Sequence, residues 1–331
     1  MTGRGLAAGL VGMCAILVLA ADFLGLEKFY PFPMLLAMRP VGSVCLLLVA
    51  VVIVVARPGW WPSAAVLAAV AVVAVVFVAF SRVIPSASAS PLNRAPDRPT
   101  LSVLSFNVYE GHADVASLVD AISTERPDLV VLPEAGERYR QLVLASIGSL
   151  GYQSWTTGRP RERDVDGIVV LAARSMGTLN VRVLDRQAKF AWMELTGGVL
   201  GPVRVLAVHT AAPVMGSVPA WRADLAALRG WCQSSTTPTM LVGDFNATVD
   251  HRELRSLGCT DVAAAVGRGL TGTWPTSLPS WFGVQIDHVL VGGGIAPGDA
   301  RVLDLPGSDH RAILVRVTLP GAATRAPGAS G

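Results

Sequence analysis

Apolar positions follow two regimes along this 331-residue chain, and the change comes near residue 85. Before it the runs are long and continuous. Residues 6–26 carry a single charge, Asp22, while 41–56 and 61–80 carry none. A helix needs about 20 apolar residues to cross a hydrocarbon core. The first and third runs reach that length, and the second does so if residues 33–38 are added, with Arg39 and Pro40 as an interruption. A cleaved leader would explain only the first run, and three core helices in succession would be unusual. Three transmembrane helices are therefore predicted, at about 6–26, 36–56 and 61–81, in a membrane anchor covering residues 1–84. Trp60 and Trp61 stand where interfacial side chains belong.

After residue 100 the runs shorten. Strands are predicted at 101–106, 128–132, 167–171, 190–195, 203–208, 240–242, 286–291 and 312–318, and helices at 115–125, 139–147 and 220–231. Many strands with fewer helices predict packed sheets covered by helices, an α+β domain over residues 101–320. Residues 85–100, rich in Pro, Ser and Ala, have the composition of an exposed linker. Residues 321–331 read as a disordered tail.

Composition sharpens this division. The chain is 52% hydrophobic with a mean hydropathy of +0.50, and most of the excess lies before residue 85. Its formal charge of +3 is not a nucleic-acid footprint. Seven Lys and Arg against three Asp and Glu lie before residue 101, which leaves 20 against 21 in the remainder. Of the four cysteines, Cys14 and Cys45 sit in apolar runs. Cys232 and Cys259 lie in the polar part, where an oxidising compartment would let them pair.

The polar residues within the second regime fall in a recurring place. Asn107, Glu134, His209 and Asp244 each stand at or just beyond the C-terminal end of an apolar run. Asp287 lies within one, flanked by His288 on the opposite face, and Asp309 and His310 precede the last. Taken singly, Asn107 and Asp244 are ordinary turn formers and Glu134 an ordinary first-turn acid. His209 alone reads as a core histidine. Asp287 is harder to dismiss, because an ionised carboxylate in an apolar strand needs a partner. As an ordered set of carboxylates, amides and imidazoles without cysteine, they suit a hard cation such as magnesium. His112, His251 and His288 read as surface or packing residues, and the arginine-rich loop 159–167 as a solvated excursion or a contact for an anionic substrate.

The sequence resembles the endonuclease/exonuclease/phosphatase superfamily. The matching pieces are SFNVYEG at 105–111, LPE at 132–134, HT at 209–210, GDFN at 243–246, TW at 273–274, IDHVLV at 286–291 and SDH at 308–310. The resemblance implies a four-layer α/β/β/α sandwich. It also implies a divalent-metal-dependent hydrolase of phosphate esters, with Mg2+ as the cofactor and Mn2+ as its substitute. By the same resemblance Glu134, Asn107 and Asp309 hold the metal, Asp244 helped by Asn246 activates water, and His310 oriented by Asp287 meets the phosphate beside His209. Two departures argue against DNA repair: Val108 and Tyr109 precede the first acidic residue after Asn107, and Pro133 stands before Glu134.

The expected function is a membrane-anchored phosphoesterase acting on a lipid-linked or membrane-proximal ester. A nuclease is the first alternative, disfavoured by the near-neutral domain, and a non-catalytic membrane-bound binding module the second. Positive-inside counting, with Lys28, Arg39, Arg82, Arg94 and Arg98 against Arg4 and Arg57, leans to a cytoplasmic domain. The anchors of related bacterial proteins lean to the outside, and an extracytoplasmic domain is the expectation retained.

Overall fold

Strands apolar at nearly every position, and helices apolar on one face, build a layered core. The computed structural model describes residues 12–320 apart from 14, 18, 86–97, 160–161, 185–188 and 233–236. Its strands are β1 (Thr100–Ser105), β2 (Leu129–Pro133), β3 (Tyr152–Thr156), β4 (Ile168–Ala173), β5 (Leu179–Leu184) and β6 (Trp192–Gly197), followed by β7 (Arg204–His209), β8 (Thr239–Asp244), β9 (Thr260–Asp261), β10 (Asp287–Gly292), β11 (Ala296–Leu303) and β12 (Ala312–Thr318). One six-stranded sheet runs β11-β12-β1-β2-β4-β3 and the other β5-β6-β7-β8-β10-β9.

Successive strand side chains point to opposite faces. In β1, β2 and β4, Leu101, Val103, Leu129, Val131, Ile168 and Val170 therefore enter the main core shared with the second sheet. Leu104, Val130, Leu132, Val169 and Leu171 enter a separate outer core. That outer core is closed by α4 (Val115–Glu125) and α5 (Glu137–Ile147) through Leu118, Ile122, Tyr139, Val143 and Ile147. On the second sheet, α6 (Val218–Cys232) buries Trp221, Leu225 and Leu228, each worth roughly 1.5–3 kcal/mol. The result is an α+β sandwich of two sheets with helices outside.

Ahead of the sandwich come α1 (Phe32–Ala37), α2 (Arg39–Ala56) and α3 (Trp61–Arg82). Among the described residues two helices, α2 and α3, are long and apolar enough to cross a membrane, with mean hydropathies of 2.5 and 2.8. Only 17% and 28% of their apolar windows are buried, which sets them apart from core helices. They correspond to the second and third of the three expected spans. Stretch 6–26 falls partly outside the described residues, and its described part leaves the helix after Leu19 for turns through Gly25. The second span begins at Arg39 rather than residue 36, because the chain breaks at Met38 and restarts with Pro40 in the first turn of α2. Of the expected linker, residues 86–97 lie outside the described residues, and so does the expected tail.

Candidate active site

Strand register assembles the site. β7 and β8 are parallel with His209 opposite Asp244, and β10 is antiparallel to β8 with Asp287 opposite Asp244. Three of the singled-out residues thus form one row across the second sheet. In the first sheet β1 and β2 are parallel, and Val108 N donates to Pro133 O at 3.0 Å. Asn107 and Glu134 therefore leave neighbouring strands side by side. Ser308 Oγ donates to Asn107 O at 2.7 Å and accepts from His310 N at 3.0 Å, which ties the approach to β12 to the same point.

The backbone is unusual here. Glu134 (φ 59°) and Asn246 (φ 47°) both occupy the left-handed region, a conformation that costs energy for residues with a Cβ and concentrates at functional sites. Gly243 meets a stricter demand. A Cβ there would lie 1.9 Å from Val208 O, so no other residue permits this approach of β8 to β7.

A single amide group joins the two sheets. Asn107 Nδ2 donates to Glu134 Oε1 at 2.9 Å and to Asp244 Oδ2 at 3.0 Å. Glu110 N donates to Glu134 Oε2 at 2.9 Å, and Asn246 N to Asp244 Oδ1 at 2.8 Å. Asn246 Nδ2 donates to Thr210 O at 3.0 Å. His310 Nδ1 donates to Asp287 Oδ2 at 2.8 Å, which leaves Nε2 facing Asp244 Oδ2 at 3.9 Å. His209 Nε2 lies 3.7 Å from Glu134 Oε1 and 4.0 Å from Asp244 Oδ2, and its ring stacks on Phe190 at 4.3 Å. Asp309 sits at the rim, with Oδ2 accepting from Trp274 Nε1 at 2.9 Å.

Burial sets the protonation states. Loss of hydration and the nearby Asp287 raise Asp244 to about 7, opposed by His310 and by the hydrogen bonds from Asn246 and Asn107. Burial alone would discharge His310, but the Asp287 charge and hydrogen bond overcome it and push the imidazole up to about 10. His209 has no such partner. Burial, then the His310 charge, lower it to about 3, so it is neutral. Burial also raises Glu134 above the ordinary carboxylate range. The centre therefore holds one imidazolium, one neutral imidazole and a carboxyl group poised near neutrality to accept a proton.

Two groups of three ligand-type side chains fall within 4.8 Å of one another among the described residues: Glu134, His209 and Asp244, and Asp244, Asp287 and His310. Asp287 Oδ1 and Asp309 Oδ1 are buried without a hydrogen-bond partner there. Surplus carboxylates, orphaned acceptors and oxygen donors from Glu134 and Asp309 fit a hard divalent cation. Asn107, expected as a ligand, instead turns its NH2 to Glu134 and Asp244, and its Oδ1 accepts from Tyr109 N at 2.9 Å, which makes it a positioning residue for the carboxylates. Asp309 itself stands outside both groups.

The matched sequence extends well beyond these residues. The sequence profile of the endonuclease/exonuclease/phosphatase family aligns with residues 104–310, more than half the chain. The chain belongs to the endonuclease/exonuclease/phosphatase family. Members of this family are generally hydrolases of phosphate esters and use divalent metals. Solved structures share the fold. TDP2 from C. elegans is 17% identical over 68% of this chain and 78% of its own, with a TM-score of 0.52. A functionally unknown conserved protein from Enterococcus faecalis is 16% identical over 66% and 100%, at 0.52. A family protein from Bacteroides thetaiotaomicron is 15% identical over 68% and 99%, at 0.51. No curated protein matches the sequence.

All eight residues singled out from the sequence converge on this cleft, and others join them. Thr273 Oγ1 accepts from Ile286 N and Asp287 N at 3.1 and 3.2 Å; its signal was the TW pair. His251, read as a packing residue, lines the cleft and reaches Pro33 O at 2.9 Å through Nε2. The loop 159–167 is more than a solvated excursion. Asp164 accepts from Gly136 N at 2.8 Å at the start of α5 and pairs with Arg138, while Val165 lines the cleft.

Proposed function

We propose that the chain is a membrane-anchored, divalent-metal-dependent phosphoesterase. The observation that carries this reading is the convergence of surplus buried carboxylates with one imidazolium at the ends of strands from both sheets. Glu134, with Asn107 and Asp309 beside it, would hold Mg2+ or Mn2+, and the bound cation supplies neutralisation of charge on the phosphate oxygens. Asp244 accepts a proton from the attacking water, which Asn246 helps to orient. The water oxygen bonds to phosphorus as the ester P–O bond breaks. His310, charged and held by Asp287, stabilises the developing negative charge and returns a proton to the departing oxygen. His209, neutral and fixed against Phe190, donates a hydrogen bond to a phosphate oxygen.

Support for the anchor comes from α2 and α3, whose lengths of ~27 and ~33 Å at 1.5 Å per residue bracket a bilayer core. Cys232 and Cys259 form a disulfide with Cα atoms 5.3 Å apart. Such bonds persist in oxidising compartments, which supports an extracytoplasmic domain.

The test is a substrate panel on the full chain in detergent with Mg2+, containing single- and double-stranded DNA, RNA, sphingomyelin, phospholipids and phosphoinositides. Hydrolysis of at least one class, abolished by chelation, is expected. No hydrolysis of any class with Mg2+ or Mn2+ would overturn the proposal.

A further inference from the structure

The catalytic cleft, a cavity of ≈ 450 Å³, has a wall that the sandwich does not supply. Its floor is the polar centre described above. Part of its side is α1 and the residue after it: Pro33, Met34, Ala37 and Met38. Met38 immediately precedes Arg39, the first residue of α2, so the cleft reaches the base of a helix apolar enough to cross a bilayer. Val214, Val284 and Ile286 add apolar surface from the sandwich.

This wall is moored to the catalytic loop. His251 Nε2 bonds Pro33 O at 2.9 Å, and Arg252 N donates to Glu27 Oε2 at 2.9 Å. Asp250 pairs with Arg39 at 3.3 Å and with Arg82, from the starts and ends of the two long helices, while Arg39 and Arg255 grip Asp22. Asp250 follows Asp244 by six residues. The segment that carries the proton acceptor thus also carries the attachment of α1, and the wall is held in register with the chemistry.

The described lining favours one class of ligand over another. Among the described residues Lys189 is the single Lys or Arg that lines the cleft. A nucleic acid needs several such cations to replace its counterions and gains nothing from a methionine wall. A phosphate ester bearing a long apolar group matches both halves, with its phosphorus on the polar floor and its chain along α1.

Resting on the phosphoesterase reading above, we propose that Met34, Ala37 and Met38 form the specificity wall of the active site, and that the substrate is an amphiphilic phosphate ester drawn from the bilayer. The wall rewards chain length, because each methylene laid against it leaves water.

The test uses the full chain in phosphatidylcholine nanodiscs with Mg2+ and two matched pairs of esters: 4-nitrophenyl methyl and dodecyl phosphate, and methyl and dodecyl phosphate. The readout is the dodecyl-to-methyl ratio of kcat/KM. Met34 is 42% exposed and Leu35, its neighbour outside the cleft, 40%. Both positions accept Asp without burying it, and in the same nanodiscs partitioning of the esters cancels when each variant's ratio is divided by that of the wild type. In the wild type the ratio favours dodecyl; Met34→Asp lowers it at least about tenfold, and Leu35→Asp leaves it at the wild-type value. A ratio near one in the wild type, or an equal fall in both variants, overturns the wall while leaving the phosphoesterase standing. No turnover of any of the four esters by the wild type counts against both.

Discussion

Two buried charge clusters lie close together in this protein, and they are built on opposite rules. At the junction with the helical segment, Arg39, Arg82 and Arg255 meet Asp22 and Asp250, so each carboxylate touches two guanidinium groups. At the cleft, Glu134, Asp244 and Asp287 face one imidazolium, His310, and burial drives Asp244 up to about 7. Desolvating charge is costly unless partners compensate it. The junction is compensated and acts as a joint. The cleft is left short of positive charge, which is the condition for receiving a cation.

Removing a carboxylate should therefore have opposite consequences in the two places. Asp244→Ala is expected to lower kcat/KM by about 10⁴-fold with Tm unchanged or raised. The sign follows from linkage: a raised folded pKa means that ionising Asp244 costs stability as pH climbs from 3.8 to about 7. Alanine removes that cost. A fall in Tm of more than a few degrees would make the cleft a structural cluster after all.

Asp250→Ala should instead leave Arg82 without a carboxylate in the interior, with Arg39 keeping only Asp22, and destabilise the protein by about 3–5 kcal/mol. Thermal unfolding in detergent measures it, and a change below about 1 kcal/mol would show that the joint bears no strain of this kind. Mg2+ should then separate the clusters by ligand. At a hundredfold excess over Kd it raises wild-type stability by about 2.7 kcal/mol, and Glu134→Gln removes most of that gain; equal gains in both proteins would place the cation elsewhere. The smallest effect concerns pH. With Asp244 needed ionised and His310 protonated, kcat/KM rises with pH through the Asp244 titration and falls near 10. Cation binding displaces the acid limb downward, and Asp287→Asn moves the alkaline limb to lower pH by removing the imidazolium's countercharge. An unmoved alkaline limb would assign that limb to another group.

Legibility from sequence followed burial closely. The eight strands predicted from apolar runs correspond to β1, β2, β4, β6, β7, β8, β10 and β12, and all are interior to their sheets. The four missed, β3, β5, β9 and β11, are the four sheet edges. An edge strand has less apolar surface to hide, as in β3, where no residue is fully buried, and β11 even tolerates Pro297 beside a register shift. The site was readable for the same reason. Asn107, Glu134, His209 and Asp244 follow strands whose ends are unmistakable, and rigid strands carry their last residues to a common edge.

Legible along the chain alone are thus the buried strands, the polar residues at the ends of four of them, and the apolar length of α2 and α3. Each is a local property of composition along the chain. Strand order, the amide of Asn107 that joins Glu134 to Asp244, and the wall that α1 adds to the cleft emerge only in the folded chain. Some of these contacts span more than two hundred residues, as between Pro33 and His251 or Arg39 and Asp250. Such pairs leave no periodicity in the sequence, because the residues that meet are set by packing and charge compensation in three dimensions.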